Sequence, residues 1–415
     1  MFKIKDLQSK KVKQILILYS SMIIGIVLGV VVSVFNTRFL GVEAFGDFKF
    51  IQSVYSFFAI IISFGYVVTA SKILAEKKND SIRKELMGTS IIITCLLGFI
   101  FIVVMLLFSV VQKNFFTTDL SALLLILSPL FFFVPFAQSI ENILQGENRI
   151  FELAVYRLVP QILYVAGIIF LYEKGYVNLK NVIFMQMITL GLATIALIYF
   201  LKPKFSNFRK MFELIAIENK EYGVHVYLGS IIGVASTQLG PIAISFFSSD
   251  NISVGYFSLA LTITMPLVLI PTVVGTSMFK EFANMDRMPA KATKATIIIS
   301  LISLLIFLLT VKPLIILLYS KEYLNAVDLS YIVALGQILH GFGNYYNRFL
   351  GSKGQGVFLR NGAISVGIAN VLGFILIVPF IGAYGAAVTK LVSGIVYIAS
   401  MLIYYKKYTN VLEKT

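Results

Sequence analysis

Apolar runs recur along the whole chain, and each is long enough to cross the ~30 Å hydrocarbon core of a bilayer as a helix. The runs predict helices at 14–36, 46–70, 87–111, 121–144, 153–172, 182–201, 223–247, 255–279, 293–318, 328–350, 360–380 and 385–405. The connections between them are too short to fold as domains. The sequence therefore predicts an all-α integral membrane protein of about twelve transmembrane helices.

The composition excludes a soluble protein. The chain has 415 residues, of which 58% are hydrophobic and only 13% charged, whereas soluble proteins carry roughly 25% charged residues. The formal net charge of +15 comes from short basic clusters between the apolar runs. Such clusters are typical of topology signals in a membrane protein, so we expect no nucleic-acid partner.

The distribution of basic residues predicts the orientation. Of the Lys and Arg residues, 27 fall in the N-terminal tail, every second connection and the C-terminal tail, and six fall in the opposite connections. Because short cytoplasmic loops carry the excess of positive charge, both termini are predicted to be cytoplasmic. The first apolar run, residues 15–35, is longer than the h-region of a secretory signal and no cleavage site follows it. We interpret it as a retained helix.

Residues that bind metals or carry out catalysis are scarce. Cys95 is the single cysteine, and the two histidines, His225 and His340, are far apart in sequence. The predicted outer loops are too short to hold the acid/base or metal-binding residues of an enzyme. We therefore expect no disulfide, no metal site, no cofactor and no enzymatic activity.

A weak internal repeat divides the chain into halves. Gly46 and Gly255 open similar segments 209 residues apart, and Gly146 and Gly351 lie in similar segments 205 residues apart. The repeat predicts an N-terminal lobe over residues 1–210 and a C-terminal lobe over residues 211–415, with six helices each. Since six is even, both halves enter the membrane in the same direction. Their pseudo-two-fold axis is then expected along the membrane normal, with a cleft between the lobes.

Polar side chains occur at helical spacing within two of the predicted spans. Gln138 and Glu141 share a face of the fourth helix, and His340 and Asn344 share a face of the tenth. We interpret Gln138 and Asn344 as substrate-binding residues lining a cavity. Interhelical hydrogen bonding is the alternative. Glu141 and His340 are candidates for coupling to an ion, H⁺ or Na⁺.

Basic residues inside the spans point to an anionic ligand. Lys49 lies about one turn inside the second helix and Lys390 lies near the start of the last, while Arg38 precedes the second helix. Lysine is an effective point-charge binder of phosphate, so we predict that these residues hold an anionic headgroup such as a pyrophosphate. The alternatives are an Arg38–Asp47 pair at the interface and a Lys390 side chain that snorkels to the surface.

Further basic residues flank the fifth, tenth and eleventh helices on the predicted cytoplasmic side. They are candidates for phosphate capture when substrate is loaded, and positive-inside anchoring is the alternative. This group consists of Arg157, Arg348 and Arg360, together with Arg149.

Several segments resemble a known family. They are Asn36-Thr37-Arg38-Phe39-Leu40-Gly41, Glu43-Ala44-Phe45-Gly46-Asp47-Phe48, Ser63-Phe64-Gly65-Tyr66, Leu144-Gln145-Gly146, and the run from Val378 to Ala387. The chain resembles, from end to end, the polysaccharide repeat-unit (O-antigen, Wzx-type) flippases of the multidrug/oligosaccharidyl-lipid/polysaccharide (MOP) exporter superfamily.

The resemblance implies a MATE-like fold of two six-helix lobes around a cationic cavity. It also implies a flippase that moves undecaprenyl-pyrophosphate-linked oligosaccharide from the inner to the outer leaflet of the bacterial plasma membrane by alternating access, for O-antigen, lipopolysaccharide or capsule assembly. The implied partners are this lipid-linked substrate, membrane lipid, a coupling ion and a polysaccharide polymerase. Two rival hypotheses are a drug/cation antiporter of the same superfamily and a membrane-embedded polysaccharide polymerase.

Overall fold

A computed structural model of the protein describes residues 10–412. The basic residues Lys3, Lys5 and Lys414, which enter the orientation prediction, lie outside the described residues. The helices are α1 (Lys10–Ile61), α2 (Tyr66–Glu76), α3 (Asp80–Phe115), α4 (Ser121–Leu127), α5 (Val134–Gly146), α6 (Ile150–Glu173), α7 (Leu179–Leu201), α8 (Phe208–Glu218), α9 (Val224–Phe247), α10 (Ile252–Ser277), α11 (Phe279–Ala283), α12 (Ala290–Leu318), α13 (Asn325–Ser352), α14 (Gly356–Leu376) and α15 (Val378–Leu412).

Eleven of the helical stretches in the described part of the chain are long and apolar enough to cross a membrane. The first, Ile23–Ile61, spans 39 residues and contains non-helical backbone at Gly41, where φ is 76° and ψ is 177°. Glycine adopts this positive φ without the steric cost that a side chain would bring. Gly41 therefore separates two helices, and the prediction of about twelve spanning helices is confirmed.

The chain packs as two compact units. The first comprises Met1–Leu40 and Val54–Ile231, and the second comprises Gly41–Ser53 and Ile232–Thr415. Two helices pass from one unit to the other, α1 twice and α9 once. The assignment of residues 1–210 and 211–415 to two lobes that move relative to each other stays a prediction.

In the first unit, several helices are interrupted rather than continuous. Between α1 and α2, Phe64 and Gly65 both have positive φ, at 47° and 79°. Between α4 and α5 the chain forms a 3₁₀ helix, Ser128–Phe133, and a proline lies in the first two positions of both this helix and α5. Proline removes a backbone donor and fixes φ, so the fourth predicted span changes helix type at these positions.

In the second unit, α13 packs against α15 through glycines. A Cβ atom on Gly336 would lie 2.7 Å from the Lys390 carbonyl oxygen, and a Cβ on Gly394 would lie 2.4 Å from the Gly336 carbonyl oxygen. Only hydrogen fits at both positions. The backbone of α15 at Lys390 is therefore held against α13 with no side chain between them.

The apolar side chains that face outward identify the lipid-contacting surface. On α12, Leu309 and Leu317 are 71% and 72% exposed, and Phe380 in α15 is 84% exposed. A soluble protein rarely exposes contiguous apolar surface on this scale. Lipid is the medium that covers these helices.

Helix α8 was not predicted. The segment before α9 was expected to be a connection, but α8 occupies Phe208–Glu218 and continues through a π-helical turn, Asn219–Gly223, into α9. Because α8 carries several charged residues, a search for apolar runs does not detect it. Lys72 in α2 forms an ion pair with Glu218 of α8, and this contact joins the two helices. The hydrogen bond to Glu218 raises the pKa of Lys72.

Candidate functional site

Lys390 is the central residue of the second unit's polar interior. Its Nζ atom donates a hydrogen bond to the Ser236 carbonyl oxygen of α9 at 2.5 Å and lies 5.8 Å from the centre of the Phe374 ring of α14. The predicted alternative was a snorkelling side chain. Instead, the ammonium group is directed at neighbouring helices, where a carbonyl dipole and an aromatic face stabilise its charge.

A chain of polar contacts lies on the same helices. The Asn344 side chain donates to Thr272 Oγ1 at 3.1 Å and accepts from the Tyr397 hydroxyl at 3.2 Å. The centre of the Tyr397 ring lies 4.7 Å from the centre of the His340 ring. The positive charge of Lys390 acts electrostatically on His340. We call these five residues the Lys390 cluster.

Within this cluster Asn344 joins three helices, α10, α13 and α15, with both ends of its amide. This is the interhelical hydrogen bonding that was the alternative to a substrate contact. A direct role for Asn344 in substrate binding stays a prediction, as does a coupling role for His340.

Lys49 is the other basic residue inside a span. It belongs to the second unit, where its Nζ donates to the Gln52 side chain at 2.9 Å and lies 5.6 Å from the ring centres of Phe45 and Phe48. As with Lys390, its described partners are neutral. No carboxylate lies within ion-pair distance of either lysine in the described part of the chain.

Arg157 has a different environment in the first unit. Its guanidinium lies 2.6 Å from the Glu141 carboxylate, and both side chains are about one-third exposed, at 31% and 33%. The sequence offered no partner for Glu141, since α5 and α6 must fold before the two residues meet. The pair is electrically neutral. Capture of phosphate by Arg157 and ion coupling by Glu141 both stay predictions.

Gln138 lines a pocket within the first unit. The pocket has an empty volume of about 480 Å³, part of it open to solvent, and lies where α1 breaks before α2. Gln138 and Asn142, four residues apart on α5, both reach it, and neither side-chain amide has a partner among the described residues. The other polar lining residues are Ser63, Ser139, Tyr227 and Ser230.

Three predicted arginines remain, and the charge of one of them, Arg348, acts on Tyr397 of the Lys390 cluster. Arg38, Arg348 and Arg360 are exposed. Arg38 is located just before the break at Gly41, and Asp47, shortly after it, accepts a hydrogen bond from Asn251. A role for these three arginines in substrate binding stays a prediction.

Sequence reasoning missed residues that hold the break between α1 and α2. The Tyr227 hydroxyl donates to the Ile61 carbonyl at 2.5 Å, and the Asn219 amide donates to the Phe64 carbonyl at 3.1 Å while accepting from Thr69. These contacts satisfy carbonyls that a broken helix leaves free. The signal that could have found the break was Gly65, which follows Ser63-Phe64 inside an apolar run.

The helices carry no recognisable metal centre in the described residues, since no three His, Cys, Asp or Glu side chains group there in a way that could hold an ion. The polar interior is instead built from lysine, amide and hydroxyl groups. Such groups can bind and release an anionic or hydroxyl-rich ligand.

Solved structures with the same fold are transport proteins. The chain is similar to "Lipid II flippase MurJ, inward closed conformation" (TM-score 0.76, 19% identity, covering 94% of this chain and 87% of that one). It is also similar to an inward-facing multidrug resistance MATE family transporter of the MOP superfamily (TM-score 0.72, 15% identity, 97% and 99% covered) and to an outward-facing one (TM-score 0.61, 16% identity, 99% and 98% covered). The fold is therefore that of the MOP transporters, and the chain is a multi-pass membrane protein.

A sequence profile of the family described as "Polysaccharide biosynthesis protein" matches residues 12–279, which is more than half of the chain. The protein belongs to this family. A comparison with curated protein sequences finds no match. The resemblance found in the sequence is thus confirmed at the level of the family and of the MOP fold.

Proposed function

We propose that the protein is a flippase that moves an oligosaccharide linked to undecaprenyl pyrophosphate from the cytoplasmic to the outer leaflet of a bacterial plasma membrane. The family, polysaccharide biosynthesis, supplies the context, and the fold is that of transporters. In this assignment both termini are cytoplasmic, and the exported units serve O-antigen, lipopolysaccharide or capsule assembly.

The observation that carries the proposal is the presence of two lysines in membrane-spanning helices with only neutral partners. Burying a cation without a counter-ion is costly, and Lys49 and Lys390 have no carboxylate partner within the described residues. A ligand that brings negative charge would offset that cost. A pyrophosphate does so, and each lysine retains donors for it, because an ammonium group has three and one hydrogen bond is found for each.

The pocket at the break between α1 and α2 is suited to binding a neutral, polar part of the substrate. Its polar lining side chains are amides and hydroxyls, without an acidic or basic side chain. Amide groups both donate and accept, which matches sugar hydroxyls. We therefore assign the lysines to the headgroup and the pocket to sugar residues.

The drug/cation antiporter is the second candidate function, and the MATE likeness favours it. It requires a negatively charged interior that binds a cation. The described interior instead offers two lysines without a carboxylate partner, while Glu141 is paired with Arg157 and the buried Asp47 accepts a hydrogen bond from Asn251. The positive interior favours an anionic cargo over a cationic one.

The experiment is a reconstitution with defined lipids. The purified protein is placed in vesicles that contain a pyrophosphate-linked oligosaccharide of undecaprenol, and the sugar that reaches the opposite leaflet is measured by a membrane-impermeant glycosidase. We expect transfer of the pyrophosphate-linked lipid and little transfer of the same sugar on a neutral lipid. Equal transfer of both lipids would overturn the headgroup assignment, and uptake of a lipophilic cation instead would support the antiporter.

A further inference from the structure

A second feature of the second unit is a close crossing between α1 and the start of α10. A Cβ atom on Gly46 would lie 1.9 Å from the Asn251 carbonyl oxygen, and one on Gly255 would lie 3.3 Å from the Gly46 backbone nitrogen. The two glycines that mark the internal repeat therefore meet each other. We call this contact the Gly46–Gly255 crossing.

Asp47 is buried beside this crossing. Only 8% of the residue is exposed, and its Oδ1 atom accepts a hydrogen bond from Asn251 Nδ2 at 2.8 Å. Within the described residues, Asp47 takes part in no ion pair. An ionised carboxylate in this position has one neutral partner to replace its hydration.

The charged groups around Asp47 come from α1 and from the elements packed against it. The charges that act on it are Glu43, one turn earlier on α1, and Asp250, just before α10. Both are acidic, so they repel a second negative charge. The 321–323 turn also packs on this part of α1, through Tyr323 against Phe45, and its charged residues, Lys321 and Glu322, have opposite signs.

Asn251 has an unused acceptor. It is 1% exposed, and its Oδ1 atom has no hydrogen-bond partner. Asn251 stands at the N-cap position of α10, where a side-chain oxygen usually accepts from the first turn, but it makes no such bond. The neighbouring Asp250 accepts from the Ile252 N–H instead. Leaving a buried acceptor unpaired is unfavourable, so the site lacks a donor.

We propose that Asp47 is a proton-binding site that carries a proton while the Gly46–Gly255 crossing is closed. A carboxylate offers only acceptors, whereas a protonated carboxyl has an O–H group. This group is the donor that the unpaired oxygen of Asn251 requires, and the same amide already donates to Asp47. Protonation thus satisfies both ends of the amide and removes the buried charge.

The consequence for transport rests on the proposed function. If the crossing opens during the transport cycle, Asp47 meets water, its carboxylate becomes hydrated and the proton leaves to the solvent. Closing the crossing again takes up a proton. Asp47 then makes H⁺ the coupling ion, and a higher proton concentration stabilises the closed crossing.

The first test reads the proton directly and needs no transport. Infrared difference spectra are recorded between the wild-type protein and Asp47→Asn in lipid membranes at neutral pH. We expect the C=O stretch of a protonated carboxyl in the wild type, lost in Asp47→Asn and retained in Glu281→Gln, which removes an exposed carboxylate of α11. Absence of this band in folded wild-type protein would overturn the proposal, whether or not the protein moves oligosaccharide.

The second test uses the transport assay. Asparagine mimics the protonated carboxyl, so Asp47→Asn is expected to fold and to lose the pH dependence of transport that the wild type and Glu281→Gln show. A pH profile of Asp47→Asn that matches the wild type would contradict coupling through this residue. An infrared band without any transport would leave the proton site intact and count against the proposed function instead.

Discussion

Arg157 in the first compact unit lies 2.6 Å from a carboxylate, while Lys390 in the second unit donates to a backbone carbonyl at 2.5 Å. The first arrangement cancels the charge within the protein. The second keeps the charge and stabilises it with dipoles. Ion pairs join five further pairs of side chains within the first unit.

This contrast indicates that the second unit is the better site for an anion. A neutral pair has little to gain from a phosphate, since the phosphate must compete with a carboxylate already in place. A lysine whose partners are a backbone carbonyl and an aromatic ring has no carboxylate that an anion must displace. The comparison predicts that substitutions of the lysines affect transport, and that substitutions of the pair affect stability.

The largest effect is expected from Lys390→Met, which keeps the length of the side chain and removes its charge. A hydrogen bond to a charged group contributes ~1.5–3 kcal/mol, and each ~1.4 kcal/mol is tenfold. We expect transport of the pyrophosphate-linked lipid to fall by about tenfold to a hundredfold, measured in vesicles at equal protein density. Lys312→Met, at an exposed lysine in α12, is the matched control. Normal transport by Lys390→Met would remove the distinction between the two units.

Lys49→Met tests the same distinction at a second position. Its side chain is held by Gln52 and two phenylalanine rings of its own helix, a less extensive setting than the helices that surround Lys390. We expect a loss of about tenfold in transport, the lower end of the range for a charged hydrogen bond. Lys49→Arg should recover part of the activity. A variant with arginine as inactive as the one with methionine would indicate a packing role.

How far these positions could be predicted depends on where their partners lie in sequence. The twelve apolar runs and the break at Gly41 follow from local pattern, because span length and a glycine with positive φ are local properties. Lys390 was recognisable as a charge within an apolar run. Its partner, the carbonyl of Ser236, lies 154 residues away, and a backbone carbonyl carries no sequence signal.

The break between α1 and α2 shows the same limit in another form. Gly65 was visible, but an apolar run with a single glycine still predicts a continuous helix. The break depends on Asn219 and Tyr227, which come from the π-helical turn and α9 and bond to carbonyls at the end of α1 and in the break. The tertiary structure therefore overrides a local preference for helix. The hydrogen bond between Asp47 and Asn251 could likewise not be predicted, because Asn251 lies 204 residues away in the sequence.

Glu141→Gln tests the prediction that the ion pair of the first unit contributes to stability. It leaves Arg157 without its carboxylate, and since both side chains are partly exposed we expect the free energy of unfolding to fall by about 1 kcal/mol. The double swap Glu141→Arg with Arg157→Glu should restore it, as read by chemical unfolding in detergent. Transport should stay within about fivefold of the wild type. A well-folded Glu141→Gln protein that moves no substrate would instead assign Glu141 to ion coupling.

The smallest effect is expected from Gln138→Leu, which removes a neutral polar group from the pocket of the first unit. A hydrogen bond between neutral groups contributes ~0.5–1.5 kcal/mol, so transport should fall by about twofold to tenfold. The loss should depend on the sugar and be absent for undecaprenyl pyrophosphate without sugars, while Lys390→Met should impair both lipids. Gln145→Leu, an exposed amide two turns along α5, is the matched control. If Gln138→Leu reduced the transport of both lipids equally, the pocket would bind the headgroup. The assignment of the headgroup to the lysines of the second unit and of the sugars to the neutral pocket of the first would then be wrong.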